Sequence, residues 1–174
     1  EIASSYLWDF EDGPQGWTNT NGQAFPAGWA VKESGLHSPC TPPDAGDSSM
    51  WIDSDAGGNG YWIQDTALSP VVVPPTNMQW FKYGVGFEGG GGSWIDDLYV
   101  GVKTFSGGAW NAPVELKHYT NGTAFTGWDS LDVSTYNTAD SIQVYFYFDD
   151  SNTWGYYASF DNVSLFAPAA HDVG

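Results

Sequence analysis

The sequence predicts an all-β protein, a two-sheet antiparallel β-sandwich of the jelly-roll type. Aromatic residues make up 17% of its 174 positions, ten each of Trp, Tyr and Phe, and such side chains suit a pleated, half-buried surface. Gly numbers 22 and Pro 10, so turn signals recur along the whole chain. Leu and Lys are scarce, which leaves little material for a long helix. This length supports one domain with a sizeable core, which we place at residues 1–166, with residues 167–174 as a C-terminal tail or linker.

Ten strand-like segments follow in order. Tyr6–Glu11 opens the chain. Trp29–Lys32 and Met50–Asp53 flank the breaker Pro39-Cys-Thr-Pro-Pro-Asp44. Tyr61–Leu68 precedes Pro74-Pro75, and Met78–Val85 follows it. Gly89–Gly92 reads as a flexible loop tip, without the strand–loop–helix context of a phosphate site. In Leu98–Thr104, Leu98, Val100 and Val102 alternate with Tyr99, Gly101 and Lys103. Val114–Tyr119 and Trp128–Val133 come next. Ile142–Phe148 shows the clearest period of two: Ile142, Val144, Phe146 and Phe148 face one way, Gln143, Tyr145 and Tyr147 the other, as in a half-exposed sandwich strand. Tyr157–Phe166 closes the domain.

Four Lys plus Arg against 21 Asp plus Glu give a formal net charge of −17. Such a field repels phosphate backbones and anionic membranes, so nucleic acid is a poor partner, while divalent cations are favoured. Most of the acids read as a solvated surface. No run of about 18 apolar residues exists to span a membrane. Cys40 stands alone, so no intrachain disulfide forms. Abundant Trp and few basic residues suggest a secreted or cell-surface protein, expected to follow a removed signal peptide or to be cut from a larger chain. Asn121-Gly-Thr and Asn162-Val-Ser are glycosylation sequons.

The two end segments hold the most informative chemistry. Asp9-Phe-Glu-Asp-Gly13 and Phe160-Asp-Asn-Val-Ser-Leu165 set carboxylates among apolar residues. Unpaired buried anions are costly and call for a cation or dense hydrogen bonding. If the termini lie side by side, Glu11 and Asp161 share one ion, and hard oxygen donors point to Ca²⁺ rather than Zn²⁺. The metal is then a staple for the fold, not a catalyst. The alternative is carboxylates satisfied by backbone N–H groups.

Taken in order, these segments resemble the MAM-like jelly-roll group, which includes MAM domains, cleaved adhesin domains and choice-of-anchor J modules. Asp9-Phe-Glu-Asp-Gly-Pro-Gln-Gly-Trp-Thr18 is similar to that group's first strand and Gly-Trp turn. Asp44-Ala-Gly-Asp47 before Met50-Trp-Ile-Asp53, Ala67-Leu-Ser-Pro70, Met78-Gln-Trp-Phe-Lys-Tyr-Gly84, Asp97-Leu-Tyr-Val100 and the closing Phe160–Leu165 continue the pattern. The paired cysteines of true MAM domains are missing, which favours the microbial relatives. The resemblance implies a non-catalytic extracellular binding or adhesion module, with a cell-surface or matrix protein or a glycan as partner. It also implies that Asp44 or Asp47 joins Glu11 and Asp161 around Ca²⁺.

Other constellations compete for function. Trp154, Tyr156 and Tyr157, with Asp149, Asp150 and Asn152 beside them, could form a glycan platform, extended by Trp62, Trp94 and Trp110. Equally, these aromatics could be core or rim. Asp53-Ser-Asp-Ala-Gly-Gly-Asn59 mimics the start of a calcium loop, but Gln64 stands where an EF-hand needs Glu, which makes it a polar turn. His37, His118 and His171 have no Cys neighbours and no nucleophile motif. A small jelly-roll glycoside hydrolase would need two opposed carboxylates; Glu88 and Glu115 read instead as surface charges. A structural alternative is a filament or sheath subunit, self-associating through Glu1–Ser5 and Ala167–Gly174.

Overall fold

A computed structural model describes residues 5–58 and 60–168. Among these, twelve strands form two six-stranded sheets. They are β1 (Ser5–Trp8), β2 (Thr18–Asn19), β3 (Ala30–Glu33), β4 (Ser48–Asp53), β5 (Gln64–Leu68), β6 (Trp80–Glu88), β7 (Asp97–Ser106), β8 (Ala109–Trp110), β9 (Val114–Tyr119), β10 (Ala124–Asp132), β11 (Ser141–Asp149) and β12 (Tyr157–Phe166). The first sheet runs β10-β6-β12-β4-β3 with β1 also on β12; the second runs β2-β5-β11-β7-β8 with β9 also on β7. Every pairing is antiparallel. The predicted all-β sandwich is therefore what forms.

All ten expected segments fold as strands, and two-residue β2 and β8 add short edges. The first segment is shorter than its sequence suggested. β1 ends at Trp8, because Phe10 takes a left-handed backbone, φ 56°, and Glu11-Asp12 sit in a turn. Glu11 is thus a turn residue, not a strand one. Helix is confined to one turn, α1 (Ser54–Gly57), and two short 3-10 turns.

Period-two patterning builds the core. Phe81, Tyr83, Val85 and Phe87 of β6 and Phe160, Val163 and Leu165 of β12 face Val144, Phe146 and Phe148 of β11, all buried. Phe160 is the hub. It stacks on Phe146 across the sheets at 3.7 Å and 7°, with Trp29 at 5.0 Å, Trp17 at 5.1 Å and Phe10 at 5.6 Å. Offset and edge contacts of this kind add to plain area burial.

One edge of β12 changes partner midway. Tyr157–Phe160 pair with β4, whereas Val163–Phe166 pair with β1. Asp161 and Asn162 occupy the junction, where the β12–β6 register also shifts and Asn162 has φ 49°. Bulges of this type re-aim side chains and often sit beside sites.

On the outer side of the first sheet lies the segment carrying Cys40. Thr126 Oγ1 donates to the Pro39 carbonyl at 2.7 Å, and Ser159 Oγ donates to the Cys40 carbonyl. Burial, with Glu88 nearby, pushes the Cys40 thiol up to about 12, so it is packed rather than reactive. Ala167, expected to begin a tail, is still buried. Of the segments Glu1–Ser5 and Ala167–Gly174, expected to mediate strand addition, residues 1–4 and 169–174 lie outside the described residues, His171 among them.

Phe160→Ala should lower the unfolding free energy by about 3–5 kcal/mol. Urea denaturation measures this; a loss below about 1 kcal/mol would remove Phe160 from its central place.

Candidate functional site

Three places concentrate polar and aromatic chemistry, and they lie apart. The first is the exposed face of the second sheet. Alternation that sends Ile142, Val144 and Phe146 into the core puts Tyr145 and Tyr147 on the outer face, Tyr145 buried there and Tyr147 half-buried, and the same logic in β7 places half-buried Tyr99 and Lys103 on that face. Tyr145 pairs with Gly101, where a Cβ would stand 2.0 Å from the Val114 carbonyl and 2.8 Å from the Tyr145 ring, so the glycine makes room for both the β9 backbone and the aromatic. Together with Thr20, Thr66, Leu68, Pro113 and Glu115 these residues line a cleft of about 480 Å³.

Its aromatics are held by hydrogen bonds and stacking. Tyr99 stacks on Tyr147 at 5.6 Å and on His118 at 4.1 Å, and His118 Nε2 lies 2.8 Å from Asp97 Oδ1. The Tyr147 hydroxyl donates to Asp149 Oδ2 at 3.0 Å and accepts from Gln64 Nε2. Burial, with Asp149 beside it, pushes Tyr147 up to about 12, and burial also raises Tyr99 and Tyr145. The three phenols are therefore neutral at ordinary pH. Sequence reasoning did not single out this face as a site. Its signal was present in the outward positions of Tyr99, Tyr145 and Tyr147, but only the pairing of β11 with β7 makes them neighbours.

The second place is the β12 junction. Asp161 is fully buried, and its hydrogen bonds come from its own neighbour: Asn162 N at 2.6 Å to Oδ1 and Asn162 Nδ2 at 3.5 Å to Oδ2. Burial, then the charges of Glu11 and Asp9, raises Asp161 to about 8. Glu11 accepts from Asp47 N at 3.0 Å and Ser48 N at 3.3 Å, while the Asp44 carbonyl accepts from Asn162 Nδ2 at 2.8 Å. Glu11, the Asp44–Ser48 loop and Asp161 with its neighbour Asn162 thus lie in one region. Asp44 and Asp47 take part there through backbone groups, and no three His, Cys, Asp or Glu side chains gather among the described residues. The donors suit a hard cation: a buried carboxylate without a basic partner, a second carboxylate, and nearby backbone oxygen.

The third place is one end of the sandwich. Trp94, Trp154 and Tyr156, with Asp55, Gly90 and Gly155, line a pocket of about 200 Å³. Trp154 and Tyr156 are thus brought together, and Trp94 joins them. Tyr157 is not part of this group; it stacks on His37 at 3.9 Å and donates to Glu88 Oε2 at 3.0 Å. Asp150 departs from the expected platform too. It is fully buried and accepts from Ile63 N, Asn152 N and Ser54 Oγ at 2.8–3.1 Å, so it pins loops instead of meeting a ligand. The loop from Asp53 is the polar turn expected: Asp53 caps α1 through Ala56 N at 2.8 Å and holds His37 at 2.6 Å.

Asp96 lies behind that pocket. It is fully buried, with Oδ2 accepting from Gly90 N and Tyr156 N, each at 2.8 Å, and Oδ1 accepting from no protein donor. A Cβ on Gly155 would fall 1.5 Å from Oδ1, so that position excludes any side chain. Burial is the main cause that raises Asp96 to about 6, assisted by Asp150 and Asp97.

No protein-family model and no curated sequence matches the chain. Solved structures share its fold. The K1 cleaved adhesin domain of Lys-gingipain from Porphyromonas gingivalis W83 superposes with TM-score 0.61 at 16% identity, over 94% of this chain and 98% of that one. The CBM27-1 module of Caldicellulosiruptor saccharolyticus, solved with mannohexaose, gives 0.59 at 14% identity over 93% and 96%. TmCBM61, solved with β-1,4-galactotriose, gives 0.57 at 15% over 91% and 93%. The resemblance to cleaved adhesin domains seen in the motif order therefore holds for the fold.

Asp96 yields a pH dependence with a definite sign. The folded protein keeps its proton up to about pH 6, whereas an unfolded Asp releases it near 4. The associated stability is full below pH 4 and is lost as pH rises through 6. Asp96→Asn, which keeps an acceptor for Gly90 and Tyr156, should therefore be more stable than the parent by roughly 2 kcal/mol at pH 7.5 and about equal at pH 4. Chemical denaturation at both pH values checks this; a gap that does not change with pH would contradict it.

Proposed function

We propose that this chain is a non-catalytic, extracellular carbohydrate-binding or adhesion module stapled by calcium. The observation that carries the reading is the tyrosine-lined cleft on the outer face of β11 and β7. Its volume of about 480 Å³ falls in the range of ligand sites. Half-buried Tyr99 and Tyr147 put aromatic surface on the cleft for the apolar faces of sugars, with buried Tyr145 beside them, and Lys103, Glu115, Thr20 and Thr66 offer partners for hydroxyls. One carboxylate, Glu115, lines it, whereas glycoside hydrolysis uses a flanking pair. Recognition of a glycan chain, rather than its cleavage, is what this lining can do. The ligands named for the CBM27-1 and TmCBM61 structures support the same choice.

Calcium would be held by Glu11 and Asp161, locking the turn after β1 onto the place where β12 leaves β4 for β1. When bound, it would supply the positive charge that Asp161 lacks. The side chains already order the approach: Asn162 ties Asp161 to the Asp44 carbonyl, and Glu11 ties the turn to Asp47 and Ser48. The metal would then position terminal strands and leave the cleft on the opposite sheet to bind.

Affinity electrophoresis and calorimetry against β-linked galactan, mannan and xylan test the cleft. Binding to at least one is expected, with Tyr99→Ala or Tyr147→Ala each weakening it roughly ten-fold, ~1.4 kcal/mol. No binding across the panel, or unchanged binding by the double variant, would overturn this reading.

A melt with and without chelator tests the staple. Calcium should raise the melting temperature by several degrees, EDTA should reverse it, and Asp161→Asn should remove the response while making the chelated protein more stable. A calcium response that survives in Asp161→Asn would dismiss the site.

A further inference from the structure

The geometry points to a second binding site, in the pocket of Trp94, Trp154, Tyr156 and Asp55, for the alkylated ammonium group of a small organic cation. Trp94 and Trp154 meet at 64° with centroids 6.3 Å apart. Two rings at that angle form adjoining walls, not the flat platform on which a sugar stacks. Aromatic walls around a compact volume of about 200 Å³ favour a cation that needs little hydration.

Charge favours the same occupant. The lining includes one acidic residue, Asp55, and no basic one. Behind it stands Asp96, fully buried, with Oδ1 unpartnered by protein and Oδ2 bonded to the backbone of two lining residues, Gly90 and Tyr156. Low-dielectric walls focus this negative field into the opening. All four lysines of the chain already lie over other rings, Phe25, Trp128, Trp110 and Tyr119, at 4.2–5.3 Å. The chain thus pairs cations with aromatic faces elsewhere, and the Trp94–Trp154 corner has none of those lysines above it.

The pocket is held open at a cost. Trp154 has a left-handed backbone, φ 61°, and its Nε1 donates to the Asp55 carbonyl at 3.3 Å. For a bulky residue that conformation is strained. It aims the indole across α1 toward Trp94, which is 46% exposed.

The test uses choline chloride as the cation and 3,3-dimethylbutan-1-ol as its neutral isostere, followed by calorimetry and ¹H–¹⁵N NMR. Choline should bind saturably and shift the Trp94 and Trp154 indole signals. The isostere should bind roughly ten-fold more weakly, as should choline to Asp55→Asn and to Asp96→Asn. The two Asp variants keep the ring walls, so the test does not depend on Trp154→Ala folding. Co-sedimentation with phosphatidylcholine vesicles separates the sources: capture assigns the group to a lipid headgroup, and free choline binding alone assigns it to a soluble ligand. Equal affinity for the isostere, binding of methyl glycosides in place of choline, or no binding of either would overturn the proposal.

Discussion

The four lysines rest over aromatic rings, and one of them also reaches Asp129, so carboxylates that fold inside are satisfied without a lysine, and only Asp53 among the buried ones described meets a histidine, His37 at 2.6 Å. Five of those described are buried: Asp53, Asp65, Asp96, Asp150 and Asp161. Leaving a carboxylate unsolvated and unpaired costs several kcal/mol. The chain answers mostly with backbone and hydroxyl donors. Asp65 shows the full solution, accepting from Thr20, Asn21, Trp29 and Thr66 and so tying the strand segment of β2 and the start of β3 to β5. Asp150 does the same for the loops at the sandwich end.

Where that answer is incomplete, the chemistry of a site begins. Asp161 depends on its own neighbour and faces Glu11 and Asp9, at the one place where β12 exchanges β4 for β1. A hard cation would complete its shell and bind the chain's first turn to its last strand. Asp96 keeps one oxygen free behind an aromatic pocket. The cleft differs in kind: its tyrosines are neutral, and Tyr99 and Tyr147 are stacked together and braced by Gln64, Asp149 and His118. A rigid aromatic face loses little entropy on binding. In the function proposed, strand termini, loop end and sheet face would divide stability, charge and recognition among separate parts of one sandwich.

Much of the architecture was legible because period two is a strong signal. Ile142–Phe148 announced its inner and outer faces, and the ten strand segments followed the turn residues. The end of β1 was not legible, because nothing in Asp9-Phe-Glu marks Phe10 for a left-handed backbone. Glu11 and Asp161 were readable as anions out of place among apolar residues. The roles of Asp44 and Asp47 were not, since backbone N–H and carbonyl groups carry no side-chain signature. Asp96 and Asp150 look like their half-buried neighbours Asp97 and Asp149 in sequence, although the first two are fully buried. The cleft escaped because it joins Tyr99 to residues more than forty positions away, and pairing register alone sets that distance.

The most direct test of this account is calcium stoichiometry after exhaustive chelation and re-addition, measured by equilibrium dialysis with elemental analysis. One ion per wild-type chain and none in Asp161→Asn would establish that the buried, donor-poor carboxylate at the β12 junction is completed by a cation. No retained calcium in the wild type, or equal retention in the variant, would contradict it.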